Sequence, residues 1–83
     1  MKKYTIKPVE VEAIQFFEEN LEDVFKFLGD FPHKYIASEK MIILYSLHEN
    51  LLVGQNDYII KGIYDEFYPC KADIFEKNYL EVK

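Results

Sequence analysis

The sequence predicts a small α+β domain, with a mostly antiparallel sheet, one main helix and a short C-terminal helix. Three observations carry that reading. Val9-Glu10-Val11-Glu12-Ala13 alternates apolar and charged residues, the period of a half-buried strand. Leu21, Val24, Phe25 and Leu28 fall at i, i+3, i+4 and i+7, one apolar stripe on a helix. After Pro32 the chain becomes a series of short apolar runs separated by turn residues, the signature of hairpins.

At Ala13-Ile14 the first alternation slips phase before Ile14-Gln15-Phe16 resumes it, which predicts a bulge or bend. The helix is expected from Asn20 as N-cap, with Glu22 and Asp23 in its first turn and Gly29 as its stop. Pro32 blocks any continuation. His33 to Ala37 and Lys40 to Leu47 predict two strands joined at Ser38-Glu39. The second of these, with Met41, Ile42, Ile43, Leu44, Tyr45 and Leu47, leaves almost no polar face and must be covered on both sides. Either the C-terminal segment folds over it, or a second copy of the chain does. Ile43, Tyr45 and Leu47 are the candidate oligomer interface.

Gly54-Gln55-Asn56-Asp57 is a turn cluster leading into a strand at Tyr58 to Lys61. Ile63-Tyr64 and Phe67-Tyr68, joined across Asp65-Glu66, predict a tight hairpin. Asp73 with Glu76 three residues later opens a short helix to about Tyr79, and Leu80 to Val82 would close the sheet. No repeat, low-complexity segment or Pro/Gly/Ser-rich linker divides the chain, so residues 1–83 read as a single domain.

Composition bounds function. A chain of 83 residues buries only about 60% of its unfolded surface, so its stability is thin or shared. The seven Phe and seven Tyr compensate with large burial per residue. Fifteen acids against ten lysines give a net charge of −5, and the stretch from Glu10 to Asp30 holds seven acids against Lys26 alone. Arginine is absent, which removes the residue best suited to gripping phosphate or guanine, so direct nucleic-acid binding is disfavoured. Cys70 is the single cysteine, which excludes an intramolecular disulfide and fits a reducing cytoplasm. Met1-Lys2-Lys3-Tyr4-Thr5-Ile6 lacks the apolar core of a signal peptide, and the Met41 to Tyr45 run is far short of the roughly 20 residues that span a bilayer.

Chemistry finds little purchase. Ser38 and Ser46 are the only serines and His33 and His48 the only histidines, all at expected strand ends. With Cys70 they match neither a nucleophile, base and acid set nor a zinc spacing. Glu18-Glu19 and Asp65-Glu66 are adjacent pairs, which an extended chain points to opposite faces. No catalytic residue, cofactor or metal site is expected. The candidate binding segment is Tyr68-Pro69-Cys70-Lys71 with Lys61, where a rigid backbone, a phenol and two lysines would suit a small anionic molecule or a peptide edge. The competing reading makes Tyr68 and Phe67 core residues and leaves both lysines solvated.

The segments Asp57-Tyr58-Ile59-Ile60-Lys61-Gly62, Glu66-Phe67-Tyr68-Pro69-Cys70-Lys71 and Asp73-Ile74-Phe75-Glu76, with Tyr79, resemble a family of small bacteriophage and prophage proteins. The C-terminal half of that family reads roughly GDYIIKGxxGEFYPCKPDIFExTY. Lys7-Pro8-Val9-Glu10-Val11-Glu12-Ala13-Ile14-Gln15-Phe16 is similar to its opening, so the resemblance covers both ends around a variable middle. Asn56 and Asp65 stand where that family has Gly, and Ala72 where it has Pro; Asn and Asp tolerate left-handed backbone, so the turns should persist. The resemblance implies a phage or prophage setting, in the cytoplasm of a bacterial host; with the lack of catalytic groups and the apolar strand that needs a cover, the expectation is a non-enzymatic accessory protein, homo-oligomeric, that binds a host protein or a small anionic signalling molecule. The alternatives are a minor virion or tail-assembly component and, third, an acidic DNA mimic.

Overall fold

A computed structural model describes residues 1–3 and 10–80. The α+β class holds, but the strands divide into two three-stranded antiparallel sheets rather than one. One sheet has the order β1-β5-β6, with β1 at Glu12–Gln15, β5 at Tyr58–Lys61 and β6 at Phe67–Cys70. The other is the meander β2-β3-β4, with β2 at His33–Ile36, β3 at Met41–Tyr45 and β4 at Asn50–Val53. Periodicity reports a strand but not its neighbour, which is why two sheets can pass for one in the sequence. A third strand at Asn50–Val53 was not foreseen, because Leu51, Leu52 and Val53 do not alternate in polarity.

Between β1 and β2 lie a 3-10 turn at Glu18–Asn20 and the main helix α1, Leu21–Leu28. Asn20 occupies the cap position, yet its side chain turns backward: Oδ1 accepts the Phe17 N–H at 2.9 Å and Nδ2 donates to the Gln15 carbonyl at 2.8 Å. Gly29 stops the helix as expected, with φ of 55° and its N–H on the Phe25 carbonyl. Such a left-handed position favours glycine.

One cluster joins both sheets to α1: Phe16, Val24, Leu28, Ile42, Leu44, Val53, Ile59 and Phe67. The helical stripe is centred on Val24 and Leu28, with Phe25 and Phe27 on its flanks. Phe27 meets Phe67 edge-on at 5.5 Å, whereas Phe25 remains 36% exposed, stacks on His33 and meets Tyr35 edge-on. The expectation that Phe25 is a core residue is therefore corrected.

The first strand begins at Glu12, and its pairing with β5 runs without interruption from Glu12↔Lys61 to Gln15↔Tyr58. The expected bulge is absent; Val9 lies outside the described residues. The hairpin is also shifted. β5 itself pairs with β6, from Tyr58↔Cys70 to Lys61↔Phe67, and Ile63-Tyr64 belongs to its turn instead of a strand. Helix α2 spans Ala72–Asn78 with Lys71, not Asp73, at the cap position. Leu80 is not in a strand, and the rest of the expected final strand, residues 81–83, lies outside the described residues.

α2 decides which strand is covered twice. Phe75 stacks on Tyr58 at 3.9 Å and on Tyr79 at 4.7 Å, and the Tyr58 hydroxyl donates to Glu76 at 3.2 Å. The helix thus lies on the face of β5 that carries Tyr58 and Ile60, while Ile59 faces the shared core. It is β5, with both Ile59 and Ile60 buried, that is sandwiched. The C-terminal helix therefore does not cover β3, whose inward residues are Ile42 and Leu44 and whose opposite face stays open among the described residues.

Two stability outcomes follow. Leu28→Ala, at a site 2% exposed, should cost about 3 kcal/mol in urea unfolding, and Phe25→Ala only about 1 kcal/mol, the scale of a lost aromatic contact. The reverse order would show that the helix is rotated from the orientation described. Asn56 sits at φ of 73°, so Asn56→Ala should cost about 1 kcal/mol while Asn56→Gly leaves the unfolding midpoint unchanged or raised.

Candidate functional site

The segment expected to bind an anion is held at one end by Asp57, which is 5% exposed. Its Oδ2 accepts the Gly54 N–H at 2.9 Å and pairs with Lys71 Nζ at 3.2 Å, closing the turn from β4 into β5. Lys71 is thus a largely solvated charge, its side chain 69% exposed, whose ammonium reaches a buried carboxylate. Lys61 pairs with Asp65 at 3.7 Å, at the far end of the hairpin. Register places Lys61 opposite Phe67 and Lys71 just beyond the Tyr58↔Cys70 pair, so the two lysines occupy opposite ends of β5-β6.

Tyr68 and Cys70 share one face of β6, the face that carries α2, whereas Lys61 belongs to the other. The four candidate residues are therefore not brought to one point. Burial raises the Tyr68 phenol, helped by the neighbouring Tyr79 phenol and by Glu66, and burial raises the Cys70 thiol, helped by Asp57 and Asp73. Both groups stay protonated at neutral pH, and a protonated thiol is a poor nucleophile. Ser46 donates its hydroxyl to the Glu49 carbonyl, and His33 Nδ1 lies 2.6 Å from the Phe31 carbonyl. These are the contacts of turn residues. Among the described residues no three His, Cys, Asp or Glu side chains are grouped to hold a metal ion, and no helix is long and apolar enough to cross a membrane.

The other candidates do converge. Ile43 and Tyr45 share the open face of β3, joined across the ladder by Leu52 and Ile36 and along the strand by Met41. Leu52 is 55% exposed. Leu47 stands apart, beyond the strand end, where it helps line a groove of about 500 Å³ with Phe31, Pro32, Tyr45, His48 and Phe67. Sequence reasoning missed Leu52, because its strand was missed, and missed Ile63 and Tyr64 as exposed residues by assigning them to a strand.

No family model matches the chain, and neither a curated protein nor a solved structure matches it.

The raised thiol and phenols give a pH dependence. Their neutral forms are favoured in the folded state, so the stability they contribute is complete below the ordinary thiol and phenol values of 9.0 and 10.0 and is lost as pH rises through the folded-state values. Urea unfolding from pH 7 upward should show a decline that begins near pH 9, and Cys70→Ser should delay its onset. A flat profile in both proteins would mean that neither group is desolvated.

Proposed function

We propose that this chain is a non-enzymatic phage or prophage accessory protein that works by protein contact, self-associating and engaging a host protein. The observation that carries the reading is the open apolar face of β2-β3-β4, on which Ile36, Met41, Ile43, Tyr45 and Leu52 lie together. A second copy suits that face on electrostatic grounds. Its one charged strand residue is Lys34, while the acids that make the chain net −5 lie elsewhere, so two copies can stack without opposing carboxylates. The phage setting comes from the sequence resemblance. A host protein is preferred to a small anionic molecule because Lys61 and Lys71 are each paired with a carboxylate and point to different places.

The size of the face sets the strength. Three strands about 4.8 Å apart and four or five residues long give a patch of roughly a few hundred Å². That is below the roughly 800 Å² per partner of a standard interface. A weak, concentration-dependent self-association is expected. Sedimentation over a concentration series to high micromolar should show a mass rising toward twice that of the chain, and Ile43→Lys with Leu52→Glu should abolish the rise while leaving the thermal midpoint within a few degrees. A wild-type protein that stays monomeric throughout removes self-association from the reading.

A further inference from the structure

The turn that joins β5 to β6 adds exposed apolar residues to ordinary turn chemistry. Turns present Gly, Asn, Asp and Ser to water because those residues suit the backbone and the solvent. Here Asp65 and Glu66 stay exposed and also brace the turn, and two apolar-bodied residues share its tip. Gly62 N–H donates to the Glu66 carbonyl at 2.8 Å, Asp65 N–H to the Gly62 carbonyl at 3.1 Å, and Tyr64 N–H to Glu66 Oε2 at 3.0 Å. Lys61 holds Asp65, which adopts φ of 63°, and the Glu66 carboxylate lies where any side chain at Gly62 would stand. Beside these exposed acids stand Ile63, 60% exposed, and Tyr64, 84% exposed. An isoleucine and a tyrosine on a braced backbone form an anchor with little loop freedom left to lose on binding.

The surroundings of the tip define what it meets. Glu10, Glu12, Asp65 and Glu66 lie around it against Lys61 alone among the described residues, and Lys61 is already paired. We infer that the tip Ile63-Tyr64 is the anchor for a host protein presenting an apolar pocket rimmed by lysine or arginine. This rests on the reading that the chain works by protein contact, and it names the surface and the partner chemistry. A second copy would bring acid against acid at this end, and an anionic bilayer would be repelled by the same carboxylates. The open face of β2-β3-β4 carries no such ring, so the two surfaces serve different partners.

The test places a photoreactive phenylalanine at position 63, at position 52 on the open sheet face, or at exposed Lys77, and irradiates each full-length protein in bacterial lysate. Expected is one predominant protein captured from position 63, its cross-linked peptide mapping to an apolar pocket flanked by Lys or Arg. The captured protein, once purified, should bind wild type at least about 30-fold more tightly than Tyr64→Ser, the scale of a hot-spot residue. Tyr64→Ser should keep the wild-type thermal midpoint. Glu10→Gln with Glu12→Gln should slow association and flatten its salt dependence. Capture at position 63 no different from that at Lys77, a cross-link to another copy of this chain, an affinity indifferent to Tyr64→Ser, or Tyr64-dependent binding to phosphatidylglycerol vesicles would each overturn the inference. Foreign protein captured from position 52 alone would overturn it and leave the protein-contact reading standing; none from either position would remove both.

Discussion

The architecture depends on one buried carboxylate. Asp57 stands where the chain leaves one sheet for the other, and its side chain and backbone both bond: Oδ2 with Gly54 and Lys71, its N–H with the Gly54 carbonyl, its carbonyl with the Phe16 N–H at 2.8 Å. Those bonds tie the end of β1, the crossing turn and the approach to α2 into one knot. A buried acid without partners would be costly, and satisfied ones are correspondingly specific about geometry. Because the turn is fixed there, β5 leaves its sequence neighbour β4 and pairs with β1. Two sheets result where a meander would have made one.

The pairing of β5 with β1 then determines what must be covered. Ile59 and Ile60 are consecutive, so they face opposite sides, and both are buried. One side is filled by α1 and the second sheet. On the other, Phe75 and Tyr79 form an aromatic stack over Tyr58, so a seven-residue helix with no buried residue of its own suffices as a cover. With the C-terminal helix committed there, nothing among the described residues is left for the outer side of β3.

Much of the local structure was legible from the sequence, and the reasons for success and failure are physical. The helix, its glycine stop, the Gly54–Asp57 turn and the strand at Tyr58–Lys61 are encoded by residues that act within a few positions of one another. Partner choice is not. Nothing near Tyr58 says that its strand lies beside Gln15, and the decisive Asp57 to Lys71 contact spans fourteen positions. The candidate lysines illustrate the same limit, since their separation and pairing depend on register. Ile43 and Tyr45 were legible because two residues apart on a strand is enough to share a face. Phe25 shows that a correct stripe does not fix which flank of it reaches the core.

Phe16 and Asn56 exchange a backbone hydrogen bond of 2.8 Å next to the Phe16 to Asp57 bond, so the chain from residue 17 to residue 55 departs and returns through a single doorway. Everything within that excursion, α1 and the β2-β3-β4 meander, is linked by short connections, whereas β1 and β5 are separated by the whole of it. Closing a long unstructured loop costs more entropy than closing one that has already condensed. The meander is thus the natural first part of the molecule to assemble, and the pairing of β1 with β5 a late event that its collapse makes accessible. The same doorway lets the exposed connections of the excursion change in length without moving the two strands at its threshold, while Val24, Leu28, Ile42, Leu44 and Val53 remain tied to the core they share with those strands.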